Sequence, residues 1–155
     1  MKVFRVDNQY EKLDQLAVLF MEYFIEISNF GNILPLANNG EQLWLDGVKK
    51  SIGKTSVLTV AENNGLLVGF GHGQLKLTPD YLGSLRVGVV SHFYLDKKYR
   101  GGNFSAKMFE EMNFWFNEKA VASIELQVVE GNEKAYKFWS KLGFTPELKQ
   151  MRLKY

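Results

Sequence analysis

At 155 residues the chain is the size of one ordinary domain and is long enough to bury a core without covalent staples, so one domain over 1–155 is expected. The absence of cysteine rules out a disulfide framework, a thiolate nucleophile and a Cys-ligated metal, and with His72 and His92 as the only histidines no metal site is expected. A net charge of +2 is too small to argue for nucleic acid or a membrane surface as the main partner, and with no signal-like or membrane-spanning apolar run the expectation is a soluble cytoplasmic protein.

Val3 to Val6 is a short strand, and Asp7 and Asn8 lead into a long helix from Tyr10 to about Ile27, where Leu13, Leu16, Ala17, Phe20, Tyr23, Phe24 and Ile27 keep helical spacing. The uncharged segment SNFGNILPLANNG, 28–40, reads as a loop. It either packs over a pocket or is pinned to the core by Phe30, Ile33 and Leu36. A shorter helix from about Glu41 to Ile52 is closed by Gly53. Ser56 to Ala61 and Leu66 to Leu77 are strands joined by an Asn-Gly hairpin turn. Gly69, Gly71 and Gly73 strip one face of the second strand, so something lies close against it.

The stretch VGVVSHFYLDKKYRGGNFSAKMFEEMNFW, 87–115, changes period around a basic, glycine-bearing turn. Alternation holds to Leu95, and helical spacing resumes with Phe104, Met108, Met112 and Trp115. A helix that starts there points unpaired N–H groups and the positive end of its dipole at Tyr99 to Gly102, which suits an anion. Ser123 to Val129 alternates again, so a strand, a crossover helix and a second, parallel strand place the basic turn at the carboxyl ends of a parallel pair. A last helix, Asn132 to Leu142, is closed by Gly143, and the tail from Phe144 to Tyr155 resumes alternation as one or two terminal strands.

Two of these segments, FYLDKKYRGGNFSAKMF and LQVVEGNEKAYKFWSKLGF, resemble the GNAT superfamily of acyl-CoA-dependent N-acetyltransferases, matching the family's strand 4, pyrophosphate loop and helix 3, and its strand 5 and helix 4. Together they cover roughly Val87 to Phe144. The resemblance implies an α/β (α+β) fold, a mixed central sheet of about six to seven strands flanked by about four helices, and a cofactor cleft between two parallel strands. It implies acetyl-CoA as cosubstrate, held by Arg100, Gly101, Gly102, Asn103, Phe104 and Ser105 of the loop, by the backbone at Phe93 and Leu95, and by Asn132. The reaction implied is direct attack of a neutral amine on the thioester in a ternary complex.

The chain departs from the family at three places. Asn103 and Ser105 stand where the loop prefers glycine, and Asn tolerates a positive φ better than other side chains. Trp139 stands where many members carry a tyrosine that protonates the leaving thiolate. Indole cannot act as that acid, so Tyr136, one turn earlier, is the candidate to replace it. The base is undefined. Strand parity puts Val89 and Ser91 on the substrate side and His92 opposite, so a water relayed through Ser91 is one route and His72 is a rival better read as structural. The resemblance implies as acceptor a small-molecule or protein amine, met by the 28–40 loop and Glu22 or Glu26. A CoA-binding module without turnover is the alternative, and exposed terminal strands would let subunits pair as a homodimer.

Overall fold

A computed structural model describes residues 1–31 and 34–155. Ile33, expected to pin the first long loop, lies outside them. The elements run β1 (Lys2–Val6), α1 (Leu16–Ser28), α2 (Gly40–Ser51), β2 (Ser56–Asn63), β3 (Leu66–Leu77), β4 (Arg86–Leu95), α3 (Phe104–Glu118), β5 (Ser123–Leu126) and α4 (Glu133–Lys141), with single 3₁₀ turns at Leu13–Gln15, Asp80–Leu82 and Lys97–Tyr99. The expected first helix thus begins late. Its first turn is 3₁₀, and the Gln15 side chain accepts a hydrogen bond from the Leu67 backbone N–H at 3.0 Å, fastening that turn to β3.

The strands form one mixed sheet in the order β1-β2-β3-β4-β5, antiparallel except for the parallel pair β4–β5. The β2–β3 hairpin turns at Asn64 and Gly65, both with positive φ (49° and 81°), as the Asn-Gly pair requires. Five strands replace the six to seven expected, because no strand forms after α4 among the described residues. The tail alternates in sequence but meets no sheet edge of its own chain. From Leu148 on its apolar side chains, Leu148, Met151, Leu153 and Tyr155, are exposed.

The core has two sides. α1 and α2 cover one face of the sheet with Leu16, Phe20, Leu45 and Val48 over Leu58, Val60 and Phe70. α3 and α4 cover the other with Met112, Trp115, Phe116 and Trp139 over Val57 and Val90. The bare glycine face of β3 is where α3 lies. A Cβ on Gly71 would come within 2.9 Å of Met112 Cε, one on Gly73 within 2.7 Å of Phe116 Cζ, and one on Gly88 of β4 within 2.7 Å of two Phe116 ring atoms. Phe116 is fully buried and has nowhere to go. Gly88→Ala is therefore expected to destabilise by about 1–3 kcal/mol through overpacking, read as a lower urea midpoint with an unchanged m-value. A wild-type midpoint would show that α3 can shift outward.

Leu36 packs into the α1/α2 core, as expected for a pinned loop. Phe30 does something else. Its ring stands beside Gly131, where an added Cβ would come within 3.8 Å of it, so the end of α1 reaches across to the head of α4.

Candidate active site

β4 and β5 pair only from Val87 opposite Ser123 to Val90 opposite Leu126. β5 then stops while β4 continues to Leu95, still paired on its other edge with β3. The parting coincides with a bulge: His72 faces His92 and Gly73 faces Val90, which leaves Ser91 as the extra residue on β4. A one-sided edge of backbone groups is thereby exposed at the carboxyl end of a parallel pair. The Asp96 N–H donates to the Val68 carbonyl at 2.8 Å, so even-numbered residues of this segment turn their backbone groups toward β3 and the odd-numbered Phe93 and Leu95 turn theirs into the cleft. The Leu95 carbonyl already accepts from Arg100 Nε at 2.6 Å.

The turn that follows is built by Asp96, whose carboxylate accepts from the Lys98 N–H at 2.9 Å. Arg100 is extended, and Gly101 takes the left-handed conformation at φ 89°. Asn103 has φ −92°, so the residue standing in a glycine position needs no positive φ and carries no strain there. It makes no side-chain cap to α3, and the first N–H groups of this helix are not capped by it. Gly102 is open, with an added Cβ meeting only the Phe104 ring at 3.5 Å. Phe104 and Ser105 are half-buried and open the helix. The N-terminus of α3, with the positive end of its dipole, opens on this turn. The Arg100 guanidinium is engaged elsewhere. It makes a two-pronged ion pair with Glu26 of α1, at 2.7 and 2.8 Å, and lies over the Tyr94 ring at 5.4 Å. This pairing draws the Glu26 carboxyl below its usual range. The two residues expected on opposite sides of the reaction, Arg100 and Glu26, are thus bonded to each other.

At the far wall, Asn132 caps α4 by accepting from the Ala135 N–H at 3.2 Å through its side-chain oxygen. Trp139 is 7% exposed and sits among Phe93, Phe109, Phe138 and Phe144, with ring centroids 4.8–5.9 Å apart across this group. It is a packing residue beneath the cleft. Tyr136 is 46% exposed and takes no part in that cluster.

The bulge at Ser91 has a second effect, which strand parity alone gets wrong. It turns His92 and Tyr94 onto the α1/α2 face. There the Trp44 indole N–H donates to His92 Nδ1 at 3.3 Å, and Phe20, stacked on Trp44 at 4.3 Å, and Tyr23 meet the His92 ring edge-on. Because Nδ1 accepts, the neutral ring carries its proton on Nε2. Burial lowers His92 to about 4. His72 lies behind it, 2% exposed, stacked at 6.1 Å, with neither ring nitrogen hydrogen-bonded. Burial, with His92 beside it, lowers His72 to about 3. The Tyr94 hydroxyl donates to Glu22 at 3.2 Å, and burial followed by that carboxylate raises its pKa. Glu22, Ile25, Glu26, Asn29, Tyr94 and Lys97 line an open groove between α1 and the turn. His92, Trp44 and Tyr94 had no motif to mark them; the one signal was glycine inside a strand, at Gly73, which is where bulges form.

Among the described residues no three His, Cys, Asp or Glu side chains gather as metal ligands, and no helix is long and apolar enough to cross a membrane. A model of the acetyltransferase (GNAT) family matches residues 15–144. No curated protein matches the chain. Among solved structures, a tetramutant of a protein from Bacillus halodurans superposes with TM-score 0.79 at 21% identity over 100% of both chains. A ribosomal-protein-alanine N-acetyltransferase from Brucella melitensis biovar Abortus 2308 superposes with TM-score 0.70 at 14% identity over 100% of both. An aminoglycoside N-acetyltransferase in complex with CoA gives TM-score 0.78 at 10% identity over 99% of this chain and 93% of that one. At these identities the likeness is one of fold.

Proposed function

The chain belongs to the acetyltransferase (GNAT) family, and from that premise we propose that it moves an acetyl group from acetyl-CoA to a primary amine by direct attack in a ternary complex. The observation that carries this reading is the open edge of β4 at Phe93 and Leu95, ending at the amide-lined turn before α3. The N–H groups of Gly101 to Ser105 would hold the pyrophosphate, and the backbone of Phe93 and Leu95 would pair with the pantetheine arm as an added strand. A β4 N–H in the cleft would polarise the thioester carbonyl, strengthening as charge develops on its oxygen. The Asn132 side chain closes the other wall.

Acetyl-CoA supplies the activated acyl group; the protein supplies placement. With the amine nitrogen held at the carbonyl, proximity accounts for most of the acceleration. The new C–N bond forms, the C–S bond breaks, and the amine's proton leaves through water held at Ser91. A thiol of pKa about 8.5 departs readily as thiolate, and Tyr136, 46% exposed on α4, is the candidate donor to it. The acceptor is a small-molecule or protein amine approaching from the α1 side, where Glu22 and the groove face solvent. A second reading, a CoA-binding module without turnover, is favoured by one observation: the place of the acid is filled by a buried tryptophan.

Two measurements test the proposal. Acetyl-CoA at 100 times its dissociation constant should stabilise the fold by about 2.7 kcal/mol, and thiol release should follow on addition of a panel of amines. Stabilisation without thiol release from any amine supports the binding module, and no stabilisation defeats both readings. If Tyr136 donates the proton, Tyr136→Phe lowers kcat by about 10²-fold or more with acetyl-CoA binding unchanged. An unaltered kcat removes Tyr136 from the mechanism.

A further inference from the structure

Beyond Val90, β4 has lost its β5 neighbour and is held along one edge only, by β3. Its end is nevertheless fastened a second time, to α1. The Tyr94 hydroxyl donates to Glu22 at 3.2 Å, and Arg100 donates to Glu26 through both terminal nitrogens, at 2.7 and 2.8 Å. Glu22 and Glu26 are one helical turn apart, so they share a face of α1 and meet the strand end as adjacent contacts. Arg100 also turns back on its own strand: Nε donates to the Leu95 carbonyl at 2.6 Å, and the guanidinium lies over the Tyr94 ring at 5.4 Å.

One side chain therefore joins the cleft-facing carbonyl at the end of β4, the turn that leads into α3, and the helix α1. Three of the five N–H groups of a guanidinium are committed in this way, two of them in the planar fork that suits a carboxylate. The Arg100 and Glu26 side chains keep 35% and 23% of their surface in solvent, and a pair so placed adds little to stability. What it supplies is placement. The Leu95 carbonyl is oriented by a charged donor and still has a second lone pair for an incoming N–H.

We propose that Glu26 is a positioning residue for acetyl-CoA. Acting through Arg100, it fixes the Leu95 carbonyl and the turn after it in the arrangement that receives the pantetheine arm and the pyrophosphate. Arg100 then belongs to the wall of the cleft and is not a phosphate ligand, and Glu26, spent on Arg100, is not the contact of the acceptor amine. The proposal rests on the acetyl-transfer reading and extends it to a residue 74 positions from the turn.

Charge alone predicts the opposite sign. Acetyl-CoA is polyanionic, and Glu26→Gln removes a negative charge beside its cleft, so Coulomb attraction by itself would tighten binding. Loss of the clasp should weaken it: calorimetric titration with acetyl-CoA should show the dissociation constant of Glu26→Gln raised about tenfold. Arg100→Lys keeps the cation and loses the fork, and a similar rise is expected. The double variant should bind no more weakly than either single one, because both break the same contact. Circular dichroism and urea midpoints of all three should stay close to wild type. An affinity in Glu26→Gln equal to or above wild type overturns the proposal and leaves the acetyl-transfer reading in place, as does a wild-type affinity in Arg100→Lys or an additive loss in the double variant. A wild-type chain that does not bind acetyl-CoA overturns both.

Discussion

Acidification from pH 7.5 to 5 should destabilise the fold by about 2 kcal/mol for each of its two histidines. Both rings are held neutral in the folded chain: His72 is lowered to about 3 by burial and its neighbour His92, and His92 to about 4 by burial. In the unfolded chain each returns to its ordinary value of 6.5. Between these limits the unfolded state takes up protons that the folded state refuses, so the stabilisation is complete above 6.5 and is lost as pH falls through 5 toward 4 and 3. The carboxyls lowered by ion pairs, Glu26 and Glu62, begin to matter only below their ordinary value of 4.5, which leaves a window where histidine dominates. His72→Leu separates the two rings. It removes two ring nitrogens that have no hydrogen-bond partner, so stability at pH 7.5 should be equal or higher, and about half of the loss on acidification should vanish. Urea midpoints at the two pH values read both effects, and an unchanged dependence in the variant would place His72 in contact with solvent or a partner group.

How far the fold could be read from sequence depends on which interactions are local. The Asn64-Gly65 turn, the glycine face of β3, the switch from alternation to helical spacing between Leu95 and Phe104, and the Asn132 cap are all written within a few neighbouring residues, and the structure has each of them. The tail from Phe144 shows the limit of the same method: alternation expresses a capacity to pair, and pairing needs an edge that sequence does not supply. Ser91 shows a sharper limit. One extra residue on β4 against β3 reverses which side chains face α1, and no count of apolar residues reveals an insertion whose cause is the partner strand. For the same reason His92 came out on the wrong face. Arg100 was legible as a cation beside the turn, but not as the partner of Glu26, 74 positions away, because only the folded chain sets α1 beside the end of β4.

Trp139→Ala should cost about 3–5 kcal/mol, the largest effect of any single substitution proposed for this chain. The indole is almost wholly enclosed, touching Phe93 of β4, Phe109 of α3 and Phe138 and Phe144 of the last helix and its exit, and the cavity it leaves cannot collapse without moving three elements. The loss should reach the cleft, because Phe93 turns its backbone toward the open edge while its ring rests on Trp139. Acetyl-CoA binding should therefore weaken in Trp139→Ala even at temperatures where the chain remains folded, and calorimetric titration there reads it directly. Trp139→Tyr distinguishes packing from acid catalysis. A tyrosine keeps most of the aromatic contact, so stability should fall by only about 1–2 kcal/mol, and its hydroxyl would enter a space walled by phenyl rings where a proton donor lacks a partner. The expected kcat is no higher than wild type. A tenfold or greater rise would mean that the hydroxyl reaches the leaving sulfur from this position, and that the indole has displaced an acid rather than merely filled a core.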